Sequence, residues 1–282
     1  MINHKFINHS LRSLYQNIDE QTSINNTFMK IVKELDDNMS KTTLWYDSKA
    51  ISSFNETFSM NNSVFYIDTN YTGEHMDGSI LFPYNNLNLI GDIITNKETD
   101  LIFHLRGEFN VPFTIEGNKP FIRKFIGHNN MFNNSITNMN TGGQIIFENI
   151  DFNNTIAPAT IRLDENSNTY LKNCTINTDK IGITTGGDIN NIIIENCTIN
   201  TIDNSALMFT HNVSNGIVRN NTIRCENNYS VFCNDTKNIN IDIIKNIFEG
   251  NVFLGNVSMV YFNLFDNGKG ISTKGNVQKN IN

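Results

Sequence analysis

Five side chains in this sequence carry the chemistry of a general acid or base: Asp164, Asp179, Asp188, His211 and Asp235. Cleavage of a glycosidic bond asks for two carboxyl groups about 5 to 9 Å apart across a groove, one of which protonates the leaving oxygen. Asp179 ends the run Asn177-Thr178-Asp179, just ahead of the apolar segment Ile181-Gly182-Ile183. The next such segment, Ala206-Leu207-Met208-Phe209, carries no acid. The catalytic set is therefore incomplete, and binding is the stronger expectation. The six histidines, at 4, 9, 75, 104, 128 and 211, have no ligand spacing on any one element. Asp68-Thr69-Asn70-Tyr71-Thr72-Gly73 opens like a calcium loop, but its twelfth position is Ser79 instead of a bidentate Glu. Cys174, Cys197, Cys225 and Cys233 lack metal-finger spacing and read as small packing residues. With no phosphate loop, nucleophile elbow or dinucleotide fingerprint, neither a metal nor a cofactor is expected.

A repeated phrase must position these groups. An apolar strand, an Asn and a second apolar strand recur with the Asn at 149, 173, 196, 220, 246 and 263, in steps of 24, 23, 24, 26 and 17 residues. A period in the low twenties marks a solenoid. Further segments lie between the asparagines: Ile161-Arg162-Leu163, Ile181-Gly182-Ile183, Ala206-Leu207-Met208, Val231-Phe232-Cys233 and Val252-Phe253-Leu254. About three short β segments per period, with apolar residues alternating, exclude a helical repeat. Asn149, Asn173, Asn196, Asn220, Asn246 and Asn263 are expected to bend the backbone, since Asn tolerates the left-handed region. Their stacked amides would satisfy one another as a structural ladder.

Alternate residues of the intervening segments face outward. That face is expected to present Arg162, Asp164, Thr184, Phe209, His211, Phe232, Asp235 and Phe253. Aromatic rings beside carboxylates and an imidazole suit sugars, with ring faces stacking and hydroxyls bonding to the charged groups. The same aromatics could instead be covered by a loop or a neighbouring subunit.

The first 45 residues carry a different period. Ile7, Leu11, Leu14, Ile18, Gln21, Asn25, Phe28, Val32, Leu35 and Met39 alternate by four and three, a heptad seam with polar Gln21 and Asn25. An oligomeric coiled coil and an amphipathic helix capping the solenoid both fit. The expected organisation is a helical anchoring or oligomerisation segment at 1–45, a linker at 46–63, the solenoid at 64–267 and a tail at 268–282. The net charge of −7 without a basic block excludes nucleic acid as the expected partner. No apolar run approaches the roughly 18 residues of a membrane-crossing helix. Met1 to Leu14 is polar and lacks the apolar core of a secretory signal peptide.

The repeat, with its asparagine corner, resembles the right-handed parallel β-helix superfamily, the pectate-lyase-like fold, over about residues 64 to 265. The resemblance implies an all-β, right-handed parallel β-helix solenoid with an N-terminal α-helical segment. It also implies first rungs built from Val64–Asp68 through Leu87–Asp92. Asn177-Thr178-Asp179 is similar to a polygalacturonase motif, but the Asp-Asp pair, Gly-His-Gly and Arg-Ile-Lys that should come after it are missing. The combination of a polar N-terminus, a short helical segment and a solenoid resembles phage tailspike or receptor-binding appendages. It implies a virion protein assembled in the host cytoplasm, a homotrimer that contacts other tail proteins and host surface polysaccharide. Alternatives are a polysaccharide lyase or glycoside hydrolase on the same fold, and an adhesin-like surface protein.

Overall fold

A computed structural model describes residues 63–255, 257–261, 263–266, 271–273 and 277–278. The N-terminal seam, Leu11, Leu14, Ile18, Gln21, Asn25, Phe28, Val32, Leu35 and Met39, lies outside the described residues. The chain folds as a β-solenoid whose strands all pair in parallel. Three faces can be followed along it. The first stacks Val64–Asp68, the start of Leu101–Phe109 and of Arg123–Phe132, then Gln144–Glu148, Asn168–Lys172, Ile189–Glu195, Val213–Arg219, Ile239–Ile244 and Val257–Tyr261. The second includes Asp151–Phe152, Thr175–Thr178, Thr198–Thr201 and the starts of Thr222–Cys233 and Ile247–Leu254. The third stacks Phe113–Gly117, Ile136–Asn140, Ala159–Leu163, Ile181–Thr185, Leu207–Phe209 and the ends of the same two long strands.

Alternation in sequence becomes alternation in burial, as in Gln144–Glu148 and Asn168–Lys172, whose second and fourth residues alone are buried. Because rungs lie about 4.8 Å apart, identical inward residues stack. Phe65, Phe103, Phe125 and Phe147 form one ring column with centroids 5.6, 5.0 and 5.5 Å apart. Phe109, Phe132 and Phe152 form another, at 4.6 and 5.5 Å. Further along, the first column continues through Leu171, Ile194, Val218 and Ile243, all fully buried. Each such side chain contributes about 1.5–3 kcal/mol by leaving water.

Past the first strand the fold departs from the expected rungs. Residues 87–96 form a 3-10 turn, Leu87–Ile90, running into a short helix, Gly91–Asn96, α1. Asn86 caps the turn by accepting from the Asn88 N–H, and Leu87, Ile90 and Ile94 are the buried positions. Their spacing of three and four is helical. Arg123, 2 % exposed, closes the C-terminal end of α1. Its Nε donates to the Ile94 carbonyl at 3.0 Å, Nη2 to Lys97 at 2.7 Å and Nη1 to Thr99 at 2.6 Å. A buried cation thus satisfies carbonyls at the helix end and in the segment that follows it.

The asparagines divide into two columns. Asn149, Asn173, Asn196 and Asn220 are exposed and left-handed, with φ of 57, 53, 54 and 57°. In the next rung that backbone position is held by Lys245, φ 56°. Asn246 and Asn263 belong one residue further on, pointing inward, in a column with Ile150, Cys174, Cys197 and Asn221. The buried ladder is therefore Asn221–Asn246–Asn263. Asn221 Nδ2 donates to Asn246 Oδ1 and Asn246 Nδ2 to Asn263 Oδ1, both at 2.9 Å. The same amides donate to the Ile194, Val218 and Ile243 carbonyls. The Cys197, Asn221 and Asn246 backbone N–H groups donate to the Oδ1 of the following rung. Of the outer column, Asn173 reaches Asn149 at 3.3 Å on the exposed surface.

Strand pairing also runs past residue 267, where the expected tail began. Ile271–Thr273 pairs with 252–254, and Val277–Gln278 with 260–261. The outer side of the first face carries alternating charges, Lys124, Glu148, Lys172, Glu195 and Arg219. Lys124 and Lys172 hold the Glu148 carboxyl below its usual range, and bonds from Tyr170 and Arg219 do the same to Glu195.

Candidate functional site

The third face turns one register column to solvent: Arg162, Thr184, Met208, Phe232 and Phe253. Toward its C-terminal end this column becomes aromatic. The Phe232 and Phe253 rings stack with centroids 5.3 Å apart. Tyr229 joins them, at 5.5 Å from Phe232 and edge-on at 6.3 Å from Phe253.

Tyr229 gets there through a mismatch between rungs. Arg224 pairs with Glu249 and Tyr229 with Asn251, so four residues on one rung lie opposite one on the next. The longer strand bulges outward at the corner. The shorter rung crosses it at Gly250, whose φ of +124° is closed to L side chains and whose added Cβ would lie 2.4 Å from the Cys225 carbonyl oxygen.

Beside the rings is a hollow of about 200 Å³. Ile181, Met208, Phe232 and Tyr229 form its apolar wall, and Asn204, Ser205 and Asn228 its polar rim. Asn204 Nδ2 donates to the Asp179 carbonyl at 3.0 Å, and Asn228 Nδ2 to the Asp203 carbonyl at 3.3 Å. Both amides are thereby fixed in orientation by main chain of neighbouring rungs. An apolar wall with anchored amides at its edge can stack one face of a flat ring and bond its substituents.

Of the expected outward residues, Phe209 belongs elsewhere. It is fully buried, and Met208 takes the outward position. Strict alternation breaks on four rungs of the third face, where adjacent residues are both buried: Thr160–Ile161, Gly182–Ile183, Ala206–Leu207 and Ser230–Val231. The first of each pair is small, and Gly182 leaves room for no Cβ, which would meet the Ala206 carbonyl oxygen at 2.4 Å. That doubled inward step inverts the parity of the rest of the strand. Phe232 and Phe253 are outward as expected. Thr184 is outward too, with its hydroxyl donating to the Met208 carbonyl at 3.1 Å.

The acid–base candidates separate into two groups. Asp164, Asp188, His211 and Asp235 lie along the corner leading from the third face to the first. Asp179 lies at the opposite corner, beside the hollow. Arg162 Nε donates to Asp164 Oδ1 at 2.9 Å, beneath Gly186, where any Cβ would strike that carboxylate. Asp188 accepts from the Asn212 side chain at 2.8 Å and its backbone N–H at 2.9 Å, and these bonds hold its carboxyl below the usual range. His211 Nδ1 lies 3.1 Å from the Thr185 carbonyl oxygen and 3.0 Å from the Thr210 hydroxyl. Asp235 is exposed. Asp164 is thus tied within its own turn, while Asp188 and His211 brace the corner across adjacent rungs. Among the described residues, no group of three or more His, Cys, Asp or Glu gathers to hold a metal ion.

Tyr229, Met208, Asn204 and Asn228 were not among the expected site residues. Their signal in the sequence is the irregular step: 25 residues from Asn221 to Asn246, then 17 to Asn263. A long rung followed by a short one leaves a protruding corner. No protein-family model matches the sequence, and no curated protein or solved structure matches it.

Proposed function

We propose that this chain is a carbohydrate-binding β-solenoid that serves as a tail-associated, receptor-binding component of a bacteriophage particle. The single observation that carries the binding reading is the outward stack of Phe232 and Phe253, flanked by Tyr229 and opening onto the hollow. Outward aromatic rings at this density cost solvation unless something covers them. A sugar ring fits, because its C–H face lies on the aromatic while its hydroxyls meet the amide rim. The particle reading draws support from the sequence: the heptad seam suits anchoring or trimerisation, and the solenoid resembles tailspike appendages. Several copies on one particle would multiply weak single-site binding by effective concentration. Binding and not cleavage is the proposed activity, since Asp164, Asp188 and His211 are engaged in corner hydrogen bonds and Asp179, beside the hollow, stands apart from them.

Retention of the full chain on immobilised bacterial surface polysaccharide tests this. Replacing both Phe232 and Phe253 by Ala should weaken retention about tenfold or more. Unchanged retention with the fold intact would exclude this face as the binding surface.

A further inference from the structure

The hollow's donors and acceptors also bear on which sugars it takes. Its lining contains no charged side chain. Asn204 and Asn228 turn their NH2 groups back onto main-chain carbonyls, and Asn228 Oδ1 is used by the Tyr229 N–H at 3.0 Å. One N–H of each amide is thereby used, so the Asn204 rim offers its Oδ1 as an acceptor beside one remaining N–H. A carboxylate, sulfate or phosphate is held by charged donors, and no Arg or Lys lines the hollow to supply them. The cations nearest the corner are already paired, Lys180 with Asp179 at 3.3 Å and Arg224 with Glu226 at 3.3 Å and Glu249 at 3.5 Å. Asp203 adds another negative group, bonded to Asn227 at 2.8 Å. Asp179, Asp203, Glu226 and Glu249 thus stand against Lys180 and Arg224, an excess of two negative charges around the opening. Size matters as well, since about 200 Å³ is below the roughly 300–1,000 Å³ that encloses drug-sized ligands. One ring fits, not an oligosaccharide.

Resting on the carbohydrate reading above, we infer that the hollow seats a single uncharged pyranose unit, a neutral hexose or N-acetylhexosamine, and rejects uronic, sialylated and phosphorylated sugars. The neutral ring stacks on Phe232 and Tyr229 and donates a hydroxyl to Asn204 Oδ1.

The test is a printed panel of neutral hexose and N-acetylhexosamine glycans beside uronate-containing, sialylated and phosphorylated ones. It is probed with the full chain, with Phe232→Ala and with Asn204→Lys, each checked for an unchanged far-ultraviolet spectrum. The expected result is a signal on neutral glycans that falls about tenfold in Phe232→Ala. Asn204→Lys, which adds a donor at the rim, should gain signal on uronates. A Phe232-dependent signal on acidic glycans would overturn the neutral-sugar inference and leave the carbohydrate reading standing. If no glycan gives a Phe232-dependent signal, the carbohydrate reading falls and this inference with it.

Discussion

Replacing Asn246 by Ala should destabilise the solenoid far more than the same change at Asn173, although both sit at the repeated corner. The Asn246 side chain takes part in four hydrogen bonds. Its Nδ2 donates to the Val218 carbonyl at 2.8 Å and to Asn263 Oδ1 at 2.9 Å. Its Oδ1 accepts from the Asn221 backbone N–H at 3.0 Å and from Asn221 Nδ2 at 2.9 Å. After truncation, Asn221 Nδ2 keeps Ile194 and Asn263 Oδ1 keeps the Asn246 N–H. The Asn221 N–H and this lone pair of the Val218 carbonyl keep nothing, in a site where Asn246 is 1 % exposed. Two buried orphans at about 1–3 kcal/mol each give a loss of roughly 4 kcal/mol. Asn173 is exposed, and its surface bond at 3.3 Å is weak. What Asn173→Ala loses is tolerance of φ 53°, about 1 kcal/mol, and Asn173→Gly should cost almost nothing. Urea unfolding followed by far-ultraviolet circular dichroism compares the three variants. Amide exchange at Asn221 locates the damage. Equal losses for Asn246→Ala and Asn173→Ala, or a loss below about 1 kcal/mol at Asn246, would refute the division of the corner into a supporting inner column and a conformational outer one.

Three further outcomes are expected. Cys197→Asn extends the ladder by one rung, with its amide meeting the Leu171 carbonyl as Asn221 meets Ile194, and should raise the Tm by about 2–4 °C; a fall would mean that the Cys174–Cys197 packing resists the larger side chain. Arg123→Met strips the donors from the Ile94, Lys97 and Thr99 carbonyls and should cost about 3 kcal/mol, with α1 and the first rungs losing exchange protection before the rest. Burial, then His128 and Lys124, lower the His104 pKa to about 4, beneath the ordinary 6.5. The unfolded chain therefore binds the proton that the folded chain refuses between those values, so stability falls by about 3 kcal/mol as pH drops from about 6.5 to about 4. His104→Gln should flatten that part of the pH–stability curve, and an unchanged slope would assign the acid sensitivity elsewhere.

The solenoid was readable because parallel stacking forces the same residue types to return at the same height. Phe147, Leu171, Ile194 and Val218 show this in the linear sequence, and so do the left-handed asparagines 149, 173, 196 and 220. Errors arose where a rung changes length or parity. Thr160, Gly182, Ala206 and Ser230 insert a second inward residue, which put Phe209 on the wrong side of the wall. A shift of one residue from Lys245 onward placed Asn246 and Asn263 in the exposed asparagine column, although both point inward. At the N-terminal end, Leu87, Ile90 and Ile94 signal helix through spacing, but the surrounding strands masked it. Phe232 and Phe253 were found from alternation. Tyr229 and the amides were not, since they depend on how a long rung protrudes past a short one.

The most direct test of carbohydrate binding at the outward aromatics is saturation-transfer difference NMR of the full chain with host-surface saccharides. The account predicts transfer strongest to the ring C–H protons of the bound sugar, lost in the Phe232→Ala, Phe253→Ala double variant while its strand content stays unchanged. Transfer that persists undiminished in that variant, or no transfer from any saccharide to the wild-type chain, would contradict it.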